Sequence, residues 1–363
     1  MSRPIHATID LGALRHNHDV ARRHAGNARI WSVVKANAYG HGLLRVAHAL
    51  ADTADGFALI ELEGAIALRD AGLRQPILLL EGFYSADELM LFSLHRLTPA
   101  LHSMQQVTML AAAELPAPLP VYLKLDTGMN RLGLNQEEFR AALKILESSR
   151  QVASITLMTH FADADSGQEG RGIVEQMMRL DTLREGTGDK KFPLSLANSA
   201  ALLRYPESQG DWVRPGIMLY GSSPFPDLRS AEALGLRPVM TLKSELISVR
   251  KLAAGERIGY GGIFEAPAPM RIGIVACGYA DGYPRHAPTG SPVMVGERRT
   301  RSLGRVSMDK LCVDLESVPG SDVGTPVVLW GDGLPADEVA AAAGTVSYEL
   351  FCALAERVPV VEI

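Results

Sequence analysis

The residues best suited to chemistry begin with Lys35, in Val33-Val34-Lys35-Ala36-Asn37-Ala38-Tyr39-Gly40-His41-Gly42. An apolar run, Ile30 to Val34, ends on this lysine, and a helical pattern follows Gly42. The pattern predicts a buried strand that delivers Lys35 to its C-terminal end, where the next turn opens a helix. A partly desolvated ammonium there has an accessible neutral form and can serve as nucleophile or base. A merely solvated lysine fits poorly beside the Tyr39 hydroxyl and beside Gly40 and Gly42, which permit close backbone approach. Other groups have complementary abilities. Arg131, in Lys124-Leu125-Asp126-Thr127-Gly128-Met129-Asn130-Arg131-Leu132-Gly133, is a rigid planar donor suited to an anionic oxygen. Asn198-Ser199 can start a helix whose free N–H groups receive phosphate, and Gly216 lets backbone approach one. Arg214, held extended before Pro215, can point into a cleft, and His160 can pack against a ring.

These residues need a scaffold that gathers them. Apolar runs near 30–35, 57–60, 77–80, 97–101, 120–126, 155–160, 194–197 and 212–218 alternate with helical segments. Those at 77–80 and 155–158 are continuous, as strands covered on both faces should be. Ser85 to Glu88 and Ser103 to Gln106 read as helix capping boxes, and Asn135 with Glu138 as a near relative. The alternation predicts an α/β fold, a (β/α)8 barrel, over residues 1–234; an open doubly wound sheet is the runner-up, weakened by the lack of a Gly-x-Gly-x-x-Gly after a strand. The barrel reading puts the chemistry at one end. Lys35 ends the first strand, Lys124–Gly133 lies past the fifth, His160 ends the sixth, Asn198-Ser199 follows the seventh, and Arg214 to Ile217 closes the eighth. Past Gly235 short alternating strands with frequent glycine and proline predict a mostly antiparallel β domain over 235–363, with short helices near 335–343 and 347–356. The alternating run Ala7 to Leu11 is short enough to be a strand that joins this second domain. Here Tyr260 stands among glycines, and Gly278-Tyr279-Ala280-Asp281-Gly282 and Ser307-Met308-Asp309 are similarly tight.

Composition bounds the alternatives. The chain has 363 residues, 47% of them apolar and 21% charged, with a formal charge of -5, which suits a two-domain globular protein. No basic run favours nucleic acid, no segment is long enough to span a membrane, and no apolar signal segment opens the chain. The ten histidines show no metal-ligand spacing, so no metal is expected. Cys277, Cys312 and Cys352 read as buried thiols of a reducing, cytoplasmic compartment.

The segments Val33–Gly42, Lys124–Gly133, Asn198–Ala201, Arg214–Gly221, Ile258–Gly262, Cys277–Tyr283 and Gly304–Asp309 resemble, in order and over nearly the whole chain, those of the alanine racemases. The resemblance implies that Lys35 carries pyridoxal 5'-phosphate (PLP), that Arg214 contacts the pyridine nitrogen and that Arg131 lies near the phenolic oxygen. Tyr39, Ser199, Gly216, Ile217 and Tyr348 would hold the phosphate, while His160 supports the ring with Asn198 behind it. Lys124 matches a lysine that is carbamylated in several members; an ordinary ion pair is the alternative. Tyr260 would cross a homodimer interface as the second acid/base, with Met308 offering a backbone N–H to the substrate carboxylate and Asp309 beside it. Tyr279 and Tyr348 would narrow the access route. Ser307 departs from relatives that carry cysteine there.

The implied activity is an isomerase that interconverts L- and D-alanine with two bases on opposite faces, supplying D-alanine for cell-wall peptidoglycan or handling alanine catabolically. A racemase of broader amino-acid specificity and a non-catalytic PLP-binding protein are the alternatives. The Tyr260-bearing domain argues against the second. A PLP decarboxylase lacks a cysteine placed to protonate its product.

Overall fold

The computed structural model describes residues 3–167, 171–185 and 190–363. Strand β1 (His6–Ile9) is followed by β2 (Arg29–Val33), β3 (Gly56–Leu59), β4 (Ile77–Leu79), β5 (Leu97–Leu101), β6 (Leu119–Lys124), β7 (Val152–Met158), β8 (Leu194–Asn198) and β9 (Trp212–Arg214). Strands β2 to β9 pair in parallel with their sequence neighbours, and β9 closes back onto β2 through Arg29↔Trp212 and Ile30↔Val213. A closed eight-stranded barrel therefore replaces the open-sheet alternative. Ile30, Val34, Phe57, Leu78, Val121 and Val213 are buried along its strands. Helices Leu11–Ala25, Leu62–Asp70, Gln136–Ser148 and Arg171–Glu185 are among those between the strands.

Local signals explain most boundaries. Asn135 and Glu138 form a complete capping box at the start of Gln136–Ser148. Ser103 accepts from the Gln106 N–H, but the box is only half made. The Gln106 amide bonds the His102 N–H and the carbonyls of Glu81 and Phe83, so it ties down a neighbouring loop instead. Ser85 makes no side-chain cap, and Ala86–Glu88 is a single 3-10 turn. Two strands stop short of expectation. Strand β7 ends at Met158, leaving His160 in the loop. Strand β9 ends at Arg214 because Pro215 has no N–H to extend a ladder, and Ile217 opens a 3-10 turn.

The remaining strands are β10 (Met240–Leu252), β11 (Arg257–Ile258), β12 (Phe264–Glu265), β13 (Met270–Val275), β14 (Pro292–Val295), β15 (Arg298–Leu303), β16 (Leu311–Asp314), β17 (Pro326–Trp330) and β18 (Val360–Glu362). Strand β10 organises them. Its first part pairs with β1 and β17, and beyond a bulge between Leu246 and Ser248 it pairs with β13. Strand β1 thus joins this sheet, antiparallel to β10 and parallel to β18. The hairpin β11–β12 and strand β18 are too short to show a period. One hydrophobic cluster runs through both parts of the chain, and Ile258, Ala266, Met270, Ile272 and Leu303 form a small separate core beneath the hairpin.

The thiol expectation needs one correction. Cys277 is buried and Cys312 partly so, but Cys352 is exposed, because its short helix Ser347–Cys352 turns that residue toward a cavity mouth. Among the described residues, no helix is long and apolar enough to cross a membrane.

Candidate active site at the C-terminal ends of the barrel strands

A cavity of about 590 Å³ opens at the C-terminal ends of β2 to β9, where a barrel of this kind exposes its strand-end loops. Its wall contains Lys35, Tyr39, Lys124, Arg131, His160, Asn198, Ser199, Arg214, Gly216, Ile217 and Tyr348. Residues spread over more than three hundred positions of sequence thus face one space.

Lys35 lies two residues past β2, and the chain then does something the sequence does not predict. Ala36, Asn37, Ala38 and Tyr39 have φ of 52°, 52°, 54° and 52°. This is a left-handed turn made by residues with Cβ atoms, in a region costing about 1–2 kcal/mol per residue. The ordinary helix starts only at Leu43. Hydrogen bonds hold the turn: Ala38 N–H to Val34 O, Gly40 N–H to Ala36 O and Gly42 N–H to Asn37 O. Asn37 Oδ1 accepts from Leu43 N–H at 2.8 Å. The turn swings Tyr39 inward, where its ring stacks on Tyr220 at 4.7 Å. Gly40 sits so close to the helix Ser347–Cys352 that a Cβ would fall 2.1 Å from Phe351 O.

Opposite Lys35 is the β8–β9 edge. Asn198 caps the helix Ser199–Arg204 by accepting from Ala201 N–H at 2.9 Å. Ser199 Oγ accepts from Gly216 N–H at 2.9 Å. A Cβ on Gly216 would lie 2.5 Å from the Tyr39 hydroxyl, so bare backbone, the Ser199 hydroxyl and the Tyr39 hydroxyl share one corner. Arg214 is buried, and its guanidinium donates to Ser195 Oγ, Thr159 O and Leu196 O, all neutral oxygens. Desolvation pushes it down to about 10. His160 Nδ1 is 3.5 Å from Arg214 Nη2. Burial first, and then the cations Arg214, Lys124, Arg131 and Lys35, hold this imidazole well below its ordinary value, so it is neutral. Lys124, the last residue of β6, is 6% exposed, and burial followed by repulsion from Arg214 and Arg131 brings its amine down to about 8. The cavity is a cationic pocket suited to an anionic, planar ligand.

Four expected residues are not on this wall. Tyr260 is 72% exposed, on the β11–β12 hairpin between Gly259 and Gly261, both at positive φ. Tyr279 and Met308 are 37% and 52% exposed. Their loops are locked together: Tyr279 N–H bonds Ser307 O, and a Cβ on Gly278 would fall 2.2 Å from that oxygen. Asp309 is turned to Arg357, at 2.7 Å.

Residues 9–224 match the family model of the alanine racemase N-terminal domain, and residues 239–362 that of the C-terminal domain. The chain belongs to the alanine racemase family. An alanine racemase of Nitrosomonas eutropha is 54% identical over all of both chains. A catabolic alanine racemase of Klebsiella aerogenes is 53% identical, also over all of both chains. The crystal structure of the biosynthetic alanine racemase of Pseudomonas aeruginosa superposes with a TM-score of 0.96 at 49% identity, covering 99% of each chain.

For an alanine racemase fold of this kind, sequence reasoning omitted several wall residues. Glu81 follows β4 at the same end and takes a hydrogen bond from Tyr84; the strand-end rule could have found it. Asp165 and Pro224 come from later loops, and Cys352 from the second domain, where no local signal points to a barrel cavity.

Proposed function

We propose that the chain interconverts L- and D-alanine using PLP held in the cavity, as a homodimer in which each active site is shared. The carrying observation is the gathering of Lys35 with the Tyr39–Ser199–Gly216 corner and the carboxylate-free Arg214 in one space. The corner fits a phosphate, since Gly216 has no side chain to fill it and hydroxyls flank it. When bound, PLP supplies the electron sink that lets a side chain break an amino-acid Cα–H bond.

Lys35 Nζ would hold the cofactor and, as a base, would take or return a proton at one face of the substrate Cα. Tyr260 Oη of the partner subunit does the same at the other face. Arg214 would meet the pyridine nitrogen as a hydrogen-bond donor, where a carboxylate would be an acceptor. A guanidinium in that place, unlike a carboxylate, would not favour protonation of the nitrogen, and so would moderate the electron sink and disfavour transamination. Ser199, Gly216, Ile217, Tyr39 and Tyr348 hold the phosphate. His160, being neutral, would pack against the ring with Asn198 behind it, and Arg131 would face the phenolic oxygen, steadied by Lys124 if that amine is carbamylated. Met308 N–H and Asp309 of the partner subunit bind the substrate end, and Tyr279 with Tyr348 narrows access. The exposure of Tyr260, Tyr279 and Met308 in a single chain supports their use by a second copy. We take the working units as 1–234 and 235–363, the protein as cytoplasmic, and its product as D-alanine for peptidoglycan, or its direction as catabolic.

The test incubates the purified protein with PLP and L-alanine in D2O. D-alanine should form with deuterium at Cα, and borohydride should fix PLP onto Lys35. Equal rates on lysine or arginine would replace alanine by a broader substrate class. PLP binding without deuterium wash-in would leave a binding protein only.

A further inference from the structure

We propose that His41 is a positioning residue for the cofactor site: its imidazole Nδ1–H clamps the left-handed turn that carries Lys35 and Tyr39. The proposal rests on the reading of those two residues as cofactor-binding.

His41 Nδ1 lies 2.7 Å from Tyr39 O and 3.1 Å from Ala38 O. Both are carbonyls, which only accept, so the ring proton must sit on Nδ1. Nε2 is then the lone-pair nitrogen, and it is buried without a hydrogen-bond partner. That choice is costly in a buried side chain, so the benefit must come from the other nitrogen. The ring is fully buried, 4.5 Å from the Tyr220 ring and 5.1 Å from the Phe351 ring, and these neighbours hold Nδ1 toward the two carbonyls. Burial brings it down to about 4, and it stays a neutral single donor across the physiological range.

What it clamps is the strained part of the chain. The Tyr39 carbonyl belongs to the last of the positive-φ residues with a Cβ in this turn. Tyr220 bridges both ends of the device. Its hydroxyl donates to Val33 O at 2.8 Å, at the end of β2, while its ring stacks on Tyr39 and meets His41. Lys35 lies between these fixed points, and Tyr39 is aimed at Gly216. If the Nδ1–H is lost, Tyr39 O loses its donor while Ala38 O keeps the His41 backbone N–H at 3.0 Å, and the turn can relax toward ordinary backbone from its Tyr39 end, withdrawing Tyr39 and reorienting Lys35.

The experiment compares His41→Asn, His41→Gln and His41→Phe with wild type. An Asn amide can place its N–H where Nδ1 stands, a Gln amide reaches the Nε2 position instead, and Phe keeps the ring without a donor. Equilibrium PLP affinity is read by absorbance and tyrosine quenching, and amide hydrogen exchange at residues 36–42 is read on the cofactor-free protein. His41→Phe and His41→Gln should bind PLP about 10- to 100-fold more weakly and exchange faster, while His41→Asn stays within about threefold of wild type. If Phe prevents folding, the Asn–Gln comparison carries the test. Wild-type affinity in His41→Phe, or Asn no better than Gln, overturns the proposal. Should wild type bind no PLP, the cofactor reading falls, while the exchange pattern still decides whether His41 clamps the turn.

Discussion

Lys124 offers the most quantitative check. Its amine is 6% exposed and lowered from 10.5 to about 8, chiefly by burial and then by Arg214 and Arg131. That drop corresponds to roughly 3 kcal/mol by which folding disfavours the charged amine. Lys124→Met keeps the apolar stem and removes the charge, so at pH 7 it should raise unfolding free energy by about 2–3 kcal/mol. The gain should be full below about pH 8 and shrink as pH rises toward 10.5. Over that span the unfolded chain keeps a proton the folded chain has already lost, which raises wild-type stability. Urea unfolding of the cofactor-free protein at fixed concentration, pH 7 and pH 9.5, in CO2-free buffer, measures it. Bicarbonate gives a second arm. A carbamate on Lys124 would be an anion facing Arg131 and Arg214, and the variant would then become the less stable form. A Lys124→Met protein less stable than wild type in CO2-free buffer at pH 7 would refute the burial argument.

Gly216→Ala should leave the barrel folded but displace Tyr39, since the new Cβ would lie 2.5 Å from its hydroxyl. Overpacking of about 1–3 kcal/mol gives about 10- to 100-fold weaker PLP binding by titration. Asp281 is buried between Arg3 and Arg357. Burial raises its carboxyl, but hydrogen bonds from Arg3, Gly278 and Arg357 outweigh this and hold it below 3.8. Asp281→Asn should therefore cost about 1–3 kcal/mol at pH 7, less than a fully buried pair because both arginines are partly exposed. The deficit should shrink as pH falls below 3.8 through the native carboxyl's range, in paired unfolding curves. Inactive Lys35→Ala and Tyr260→Ala dimers, mixed and allowed to exchange subunits, should regain racemase activity, because one heterodimer site would hold both bases. Proven exchange with no recovery would remove the shared-site mechanism.

Much of this protein is written locally. The period-two and continuous apolar runs specify the strands, Asn135 with Glu138 starts a helix, and Pro215 ends β9. Alternation alone then dictates that Lys35, Lys124, Asn198 and Arg214 leave their strands at one end of the barrel. Other features depend on contacts between distant segments. In Ala36-Asn37-Ala38-Tyr39 only Asn37 tolerates positive φ readily; the turn exists because Tyr220, His41 and Phe351 close around it. The lowered amine of Lys124 and the neutral imidazole of His160 arise first from burial and then from cations brought in by other segments. Sequence order carries strand identity because backbone pairing is periodic, whereas ionisation and backbone strain depend on the surroundings, which only folding supplies.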